Sequence, residues 1–221
     1  PLLLQSAKEL SADFFCQRRE LGVLNIGARG AIAVDGQNYA MDARDGLYIG
    51  RGSKEIRFTS ENPAEPARFY LVSFPAHASY PTRHARWADA EAQKLGSPEA
   101  ANARTIYRYI HERGIQSCQL VMGFTVLEPG SVWNTMPPHT HDRRMEVYLY
   151  FDMAANARVF HLMGSMQETR HIVVADSQVV ISPSWSIHSG VGTSRYTFCW
   201  GMGGENQTFE DMDGIEIGDL R

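Results

Sequence analysis

The sequence predicts an all-β protein built as two tandem barrels, and three features carry that expectation. Short runs of β-branched and aromatic residues recur along all 221 residues, Gly, Pro, Asp and Asn punctuate them, and one change of texture near the middle separates two similar halves. In the first half, residues 23–26, 31–34, 47–49 and 68–74 read as strands. In the second, the runs are 120–127, 147–151, 159–162, 172–174, 179–182 and 196–200. Asp35-Gly36 between two runs predicts a two-residue hairpin, because both central positions of a type I′ turn take positive φ.

From 85 to 103 the chain turns Ala- and Glu-rich, and Gly96 and Pro98 then break the helical tendency, which predicts a linker with a short helix. The expected domains are a first barrel without metal ligands over 1–84, a linker over 85–104 and a metal-binding barrel over 105–221. The chain opens on Pro1 rather than Met, so the first barrel is expected to lack its start.

The halves also align as a weak repeat. Leu47-Tyr48-Ile49 matches Val180-Ile181-Ser182, and Glu55 then falls at the place of His188. No histidine precedes His77, so the first half keeps a scaffold without a ligand set.

Composition narrows the function. A net charge of −4 argues against capture of nucleic acid or an anionic membrane surface, which need clustered Lys and Arg. No run approaches the roughly 20 apolar residues of a membrane span, and the start lacks the order of a secretion signal. Cys16, Cys118 and Cys199 are far apart and odd in number, which predicts a reducing, cytoplasmic setting.

The chemistry concentrates in residues 134–153. In an extended strand alternate side chains share a face, so His139 and His141 converge while Thr140 turns away. Glu146 opens the next strand on one face with Tyr148 and Tyr150, and His188 arrives after Pro183 from a distant strand. Three imidazoles and one carboxylate suit zinc, iron(II), manganese, cobalt or nickel, and are wrong for calcium.

The arrangement resembles the cupin family. Gly130, His139, His141, Glu146 and Gly164 match its first motif; Pro183 and His188 match its second, with Trp185 where glycine is usual and a longer gap after Gly130. The runs RRELGVLNIG, WNTMPPHTHDRRMEVY, ETRHIVV, SPSWSIHSGVGT and WGMGGENQTFEDMD are similar to the 5-keto-4-deoxyuronate isomerases, bicupin ketol-isomerases of pectin and uronate breakdown. The resemblance implies one Zn²⁺ per chain on the four residues and a homohexamer. It also implies conversion of 5-dehydro-4-deoxy-D-glucuronate to 3-deoxy-D-glycero-2,5-hexodiulosonate, a small acidic sugar substrate, through a metal-stabilised enediolate.

For the remaining roles, Glu146, Tyr148 and Glu205 are the catalytic candidates, with Tyr150 and Asp211 behind them. Arg143, Arg144 and Arg170 are candidates for a substrate carboxylate, because the guanidinium fork matches that group. Trp185, three residues before His188, is the pocket candidate. Two other classes share the ligand set: an iron(II) oxygenase and a sugar-acid binding protein without turnover.

Overall fold

The computed structural model describes residues 1–205 and 208–221, so Asn206 and Gln207 of the run WGMGGENQTFEDMD lie outside the described residues. The chain divides into two compact units, one of Pro1–Ala90 with Tyr109–Leu120 and one of Glu91–Arg108 with Val121–Arg221. Residues 109–120, expected in the second barrel, thus go with the first unit, and 91–104, expected as linker, go with the second.

The first unit contains β1 (Leu2–Leu3), β2 (Arg19–Asn25), β3 (Gly30–Val34), β4 (Gln37–Met41), β5 (Gly46–Ile49), β6 (Ile56–Ser60), β7 (Phe69–Pro75) and β8 (Arg83–Ala85). They form two four-stranded sheets, β1-β6-β3-β4 and β7-β2-β5-β8. Both contribute to one core that includes Leu21, Val23, Ile32, Ile49 and Phe58. The hairpin between β3 and β4 turns at Asp35 (φ 48°) and Gly36 (φ 86°), as the dipeptide predicts. Residues 118–120 are held to this unit because their N–H groups donate to the buried Glu20 carboxylate at 2.6–2.8 Å.

The second unit contains β9 (Glu91–Leu95), β10 (Arg104–Ile110, its last two residues in the first unit), β11 (Val121–Leu127), β12 (Trp133–Asn134) and β13 (His139–Thr140). It continues with β14 (Arg144–Phe151), β15 (Val159–Ser165), β16 (Glu168–Val174), β17 (Gln178–Ser182), β18 (Ile187–Gly192), β19 (Thr197–Gly204) and β20 (Asp213–Gly214). The order β17-β14-β19-β11-β10-β9 makes one sheet and β12-β18-β15-β16 another. Tyr148, Tyr150, Val159, Val174, Phe198 and Trp200 from the two sheets share a core. All ten runs read as strands from the sequence fall on strands.

Two local expectations change. Where a short helix was expected, there is one 3₁₀ turn, Trp87–Asp89, and then strand β9. Pairing of Glu91–Leu95 with β10 satisfies the backbone of that segment, and this outweighs the helical propensity of its Ala and Glu residues.

The repeat is real in topology but its register differs from the linear alignment. The β3–β4 hairpin closes at Val34↔Gln37 and the β15–β16 hairpin at Ser165↔Glu168, so Ile32 corresponds to Met163. Ile32 pairs with Phe58 and Met163 with His188. Phe58, and not Glu55, therefore stands in the place of His188, because the connection before β6 is longer than the one before β18. Among the described residues no helix is long and apolar enough to cross a membrane.

Candidate metal centre

Three separate strand segments of the second unit deliver the cluster. His139 is fixed by pairing of β13 with β20, His139↔Gly214. Glu146 sits on β14 between β17 and β19, paired with Ser182 and Met202. His188 stands on β18 opposite Met163. One ligand atom from each of His139, His141, Glu146 and His188 lies within 4.8 Å of the others.

The closer spacings are the informative ones. His139 Nε2 is 3.1 Å from His141 Nε2 and 3.0 Å from His188 Nε2, and Glu146 Oε2 is 2.9 Å from His188 Nε2 and 3.4 Å from His141 Nε2. Metal–donor bonds of about 2.1 Å place neighbouring donors about 3.0 Å apart in octahedral and about 3.4 Å in tetrahedral geometry. Glu146 Oε2 is buried with no hydrogen-bond partner, a costly arrangement for a carboxylate unless a cation meets it. The residues therefore fit a divalent ion.

The electrostatics agree with that fit. Burial, followed by the neighbouring His188 and His141, pushes His139 down to about 3, so its imidazole is neutral and offers a lone pair. Burial by itself raises Glu146, but the adjacent His188 and His141 outweigh it and hold the carboxyl well below the usual range. His141 is oriented from behind: its Nδ1 lies 2.5 Å from the carbonyl oxygen of Asp211. Arg144 donates from Nη1 to the Thr208 carbonyl at 2.6 Å and from Nη2 to the Phe209 and Asp211 carbonyls at 2.9 and 3.1 Å. It thereby binds the C-terminal segment that orients His141.

A cavity of about 180 Å³ opens on the cluster. His139, His141, Glu146 and Tyr148 line its polar side, and Leu95, Ile106, Phe198, Trp200, Met202, Phe209 and Met212 supply apolar wall. Tyr148 follows Glu146 by two residues on the same face of β14, its hydroxyl 3.3 Å from Thr135 Oγ1 and its ring 5.6 Å from that of His188. Burial, with Glu146 second, raises its phenol well above the ordinary value. Tyr150 lies deeper, its hydroxyl 2.7 Å from Nδ1 of the buried His161.

The other sequence candidates fall elsewhere. Arg144 is buried, and its guanidinium is taken by main-chain carbonyls, not left for a ligand. Arg143 is exposed, and Arg170 is exposed and paired with Glu168 at 2.7 Å. Glu205 is exposed, Trp185 is 60% exposed, and neither lines the cavity. Sequence reading missed Arg104, which does line it. The available signal was the alternation in RTIYRYI, which puts Arg104 on one strand face with Ile106 and Arg108.

Comparison with known proteins adds the following. Residues 2–216 match the KduI/IolB family. The whole chain is 57% identical, over 221 residues, to the 4-deoxy-L-threo-5-hexosulose-uronate ketol-isomerase of Halalkalibacterium halodurans, and covers 80% of that protein. It is 54% identical over 220 residues to the same enzyme of Caldicellulosiruptor bescii, again covering 80% of it. Among solved structures, an IolB-like protein from Salmonella typhimurium LT2 matches with a TM-score of 0.80 at 13% identity, over 97% of this chain and 82% of the other. A Lactobacillus farciminis oxalate decarboxylase formate complex matches with a TM-score of 0.63 at 10% identity, over 90% of this chain and 74% of the other. At such identities these structures speak for the cupin-like fold alone.

Proposed function

The chain belongs to the KduI/IolB family, and from that premise we propose that it is a ketol-isomerase of 4-deoxy-L-threo-5-hexosulose uronate, acting in uronate catabolism with one divalent ion on His139, His141, Glu146 and His188. The observation that carries the reading is the coincidence of whole-chain identity to such enzymes with a buried cluster spaced as metal bonds require. The product is the ketose isomer, 3-deoxy-D-glycero-2,5-hexodiulosonate.

Aldose–ketose exchange moves a proton between adjacent carbons through an enediolate. When bound, a redox-silent dication supplies the positive charge that such an intermediate demands. The chain's own groups do the rest. The neutral imidazole of His139 and the ionised Glu146 are held ready as donors, and Arg144 fixes the orientation of His141 through the segment 208–211. Tyr148, protonated and facing the cavity, holds a proton for the oxygen that gains it. Apolar side chains make up most of the cavity wall and lower the polarity around the cluster, which strengthens the electrostatic interactions there.

The three-imidazole, one-carboxylate set supports zinc as the ion. Exposed Ile172, Val173, Val179 and Ile181 on β16 and β17 support a homo-oligomer, with the hexamer of the resembling family as the expected state. Three unpaired cysteines support a cytoplasmic location.

The test is conversion of the uronate followed by NMR, with metal content measured beside it. Turnover without oxygen, loss on chelation and recovery with Zn²⁺ are expected. Absence of any product from metal-loaded protein sinks the isomerase; undiminished turnover by metal-stripped protein removes the ion from the reaction.

A further inference from the structure

Among the described residues Arg104 is the single Lys or Arg that lines the cavity. We infer that Arg104 grips the substrate's carboxylate and so fixes which end of the molecule meets the metal cluster, an assignment that rests on the ketol-isomerase reading.

Position supports this first. Arg104 begins β10, and with Ile106 and Arg108 it occupies the face of that strand from which Ile106 also enters the cavity wall. Thr105, on the opposite face, instead donates its hydroxyl to Glu128 at 2.9 Å.

The state of the guanidinium supports it next. Arg104 is half-buried, and among the described residues its one hydrogen bond runs from Nη1 to the Asn102 carbonyl at 2.8 Å. That bond anchors one arm of the fork; no carboxylate of the described chain pairs with the rest. Burial also lowers its pKa, as expected for a cation held without a counter-ion, while the nearby Tyr148 and Tyr196 phenols act the other way. The other arginines near the site are already committed. Arg144 is spent on carbonyls, and Arg108 binds the Gln93 side chain and lies 4.7 Å over the Phe209 ring.

Chemistry supplies the reason for such a group. A carboxylate is a stronger ligand for a dication than an aldehyde or a hydroxyl oxygen. A uronate entering a cavity whose only positive charge was the metal would therefore bind backwards, acid end inward. A second cation of fork geometry competes for that end and leaves the carbonyl and its neighbouring hydroxyl to the cluster. The bland alternative is that Arg104 merely ties down the Asn102 carbonyl.

The experiment compares metal-loaded wild type, Arg104→Gln and Arg104→Lys on two substrates, the uronate and its primary amide. Metal content and melting temperature are read for each protein. On the uronate, Arg104→Gln is expected to lose about 10- to 100-fold in kcat/KM, the worth of a charge-assisted paired hydrogen bond, with Arg104→Lys between it and wild type. On the amide, wild type and Arg104→Gln are expected to agree within about 3-fold, with metal content unchanged. An equal loss on both substrates, or no loss on the uronate, overturns the assignment. No turnover of the uronate by wild type is a different result: it defeats the isomerase reading, and this assignment falls with it.

Discussion

Each unit buries a carboxylate on a strand flanked by two partners, and the two are used in opposite ways. β2 lies between β5 and β7 as β14 lies between β17 and β19. On β2, Glu20 is fully buried and its oxygens accept from the Tyr48 hydroxyl at 2.8 Å and from three backbone N–H groups. On β14, Glu146 is nearly as buried, yet among the described residues no backbone N–H or hydroxyl meets Oε2, which faces only the imidazole nitrogens of His188 at 2.9 Å and His141 at 3.4 Å. A buried anion saturated by donors is a fastener. One left short beside imidazole nitrogens suits a metal ion, and this difference distinguishes the two acids where burial does not.

The offset of one residue between them explains the rest. With Ile49 set against Ser182, Leu21 pairs with Ile49 as Glu146 pairs with Ser182, so the first unit has an apolar residue where the second has Glu146. Phe58 replaces His188 by register, and Cys16 stands five residues before Leu21 as His141 stands five before Glu146. Leu21, Phe58 and Cys16 belong to one apolar cluster. The same scaffold thus closes on hydrocarbon in one unit and on donor atoms in the other.

The sharpest way to break this contrast is to alter the cluster and the Glu20 fastener separately. Glu146→Gln or His188→Ala is expected to lose the metal on dialysis and to lower activity by about 10³-fold or more. Glu20→Ala should retain the metal and lower unfolding free energy by at least about 3 kcal/mol, because several buried donors lose their acceptor. Metal analysis and urea unfolding on the same samples decide it. If Glu20→Ala lost the metal while staying folded, the division of roles would be wrong.

The tyrosines allow a second test of smaller size. Tyr148→Phe is expected to lower kcat by about 10²-fold, the lower end for a proton-transferring group, with metal content intact. Tyr48→Phe, which removes a hydroxyl bonded only within the first unit, should leave kcat unchanged and cost about 1 kcal/mol of stability. Equal kcat in both variants would take Tyr148 out of the chemistry.

Arg144 comes next, because it acts through His141. Arg144→Ala should weaken metal affinity by about 10- to 100-fold, the usual cost of losing support behind a ligand. Competition with a chromogenic chelator measures it. Arg143→Ala, at an exposed neighbouring position, is the control and should change nothing.

How much of this was legible in the sequence follows from the range of each interaction. The strands were legible because alternation and turn residues act within a few positions, and the grouping of His139, His141 and Glu146 was legible because H-x-H and a carboxylate five residues on lie close along the chain. Arg104 and the register of His188 against Phe58 were not. Arg104 ends a segment whose Ala and Glu residues read as helical linker, and only pairing of Glu91–Leu95 with β10 turns it into a cavity wall. Arg144 looked like a surface fork beside the metal motif, yet its partners at 208–211 lie more than sixty residues away and no spacing rule connects them.

The smallest expected effect compares the two hairpins that fix the registers. Gly36 (φ 86°) has open space where a Cβ would stand, whereas at Gly164 (φ 111°) a Cβ would meet the Glu168 carbonyl oxygen at 2.5 Å. Gly36→Ala should therefore cost only the left-handed backbone penalty, about 1 kcal/mol. Gly164→Ala must also shift the β15–β16 pairing, and β15 carries His188 through Met163. A drop in metal affinity in Gly164→Ala but not in Gly36→Ala, read with the same chelator, would show that Gly164, inside β15, supports the position of His188, while Gly36, inside its hairpin turn, serves that turn alone.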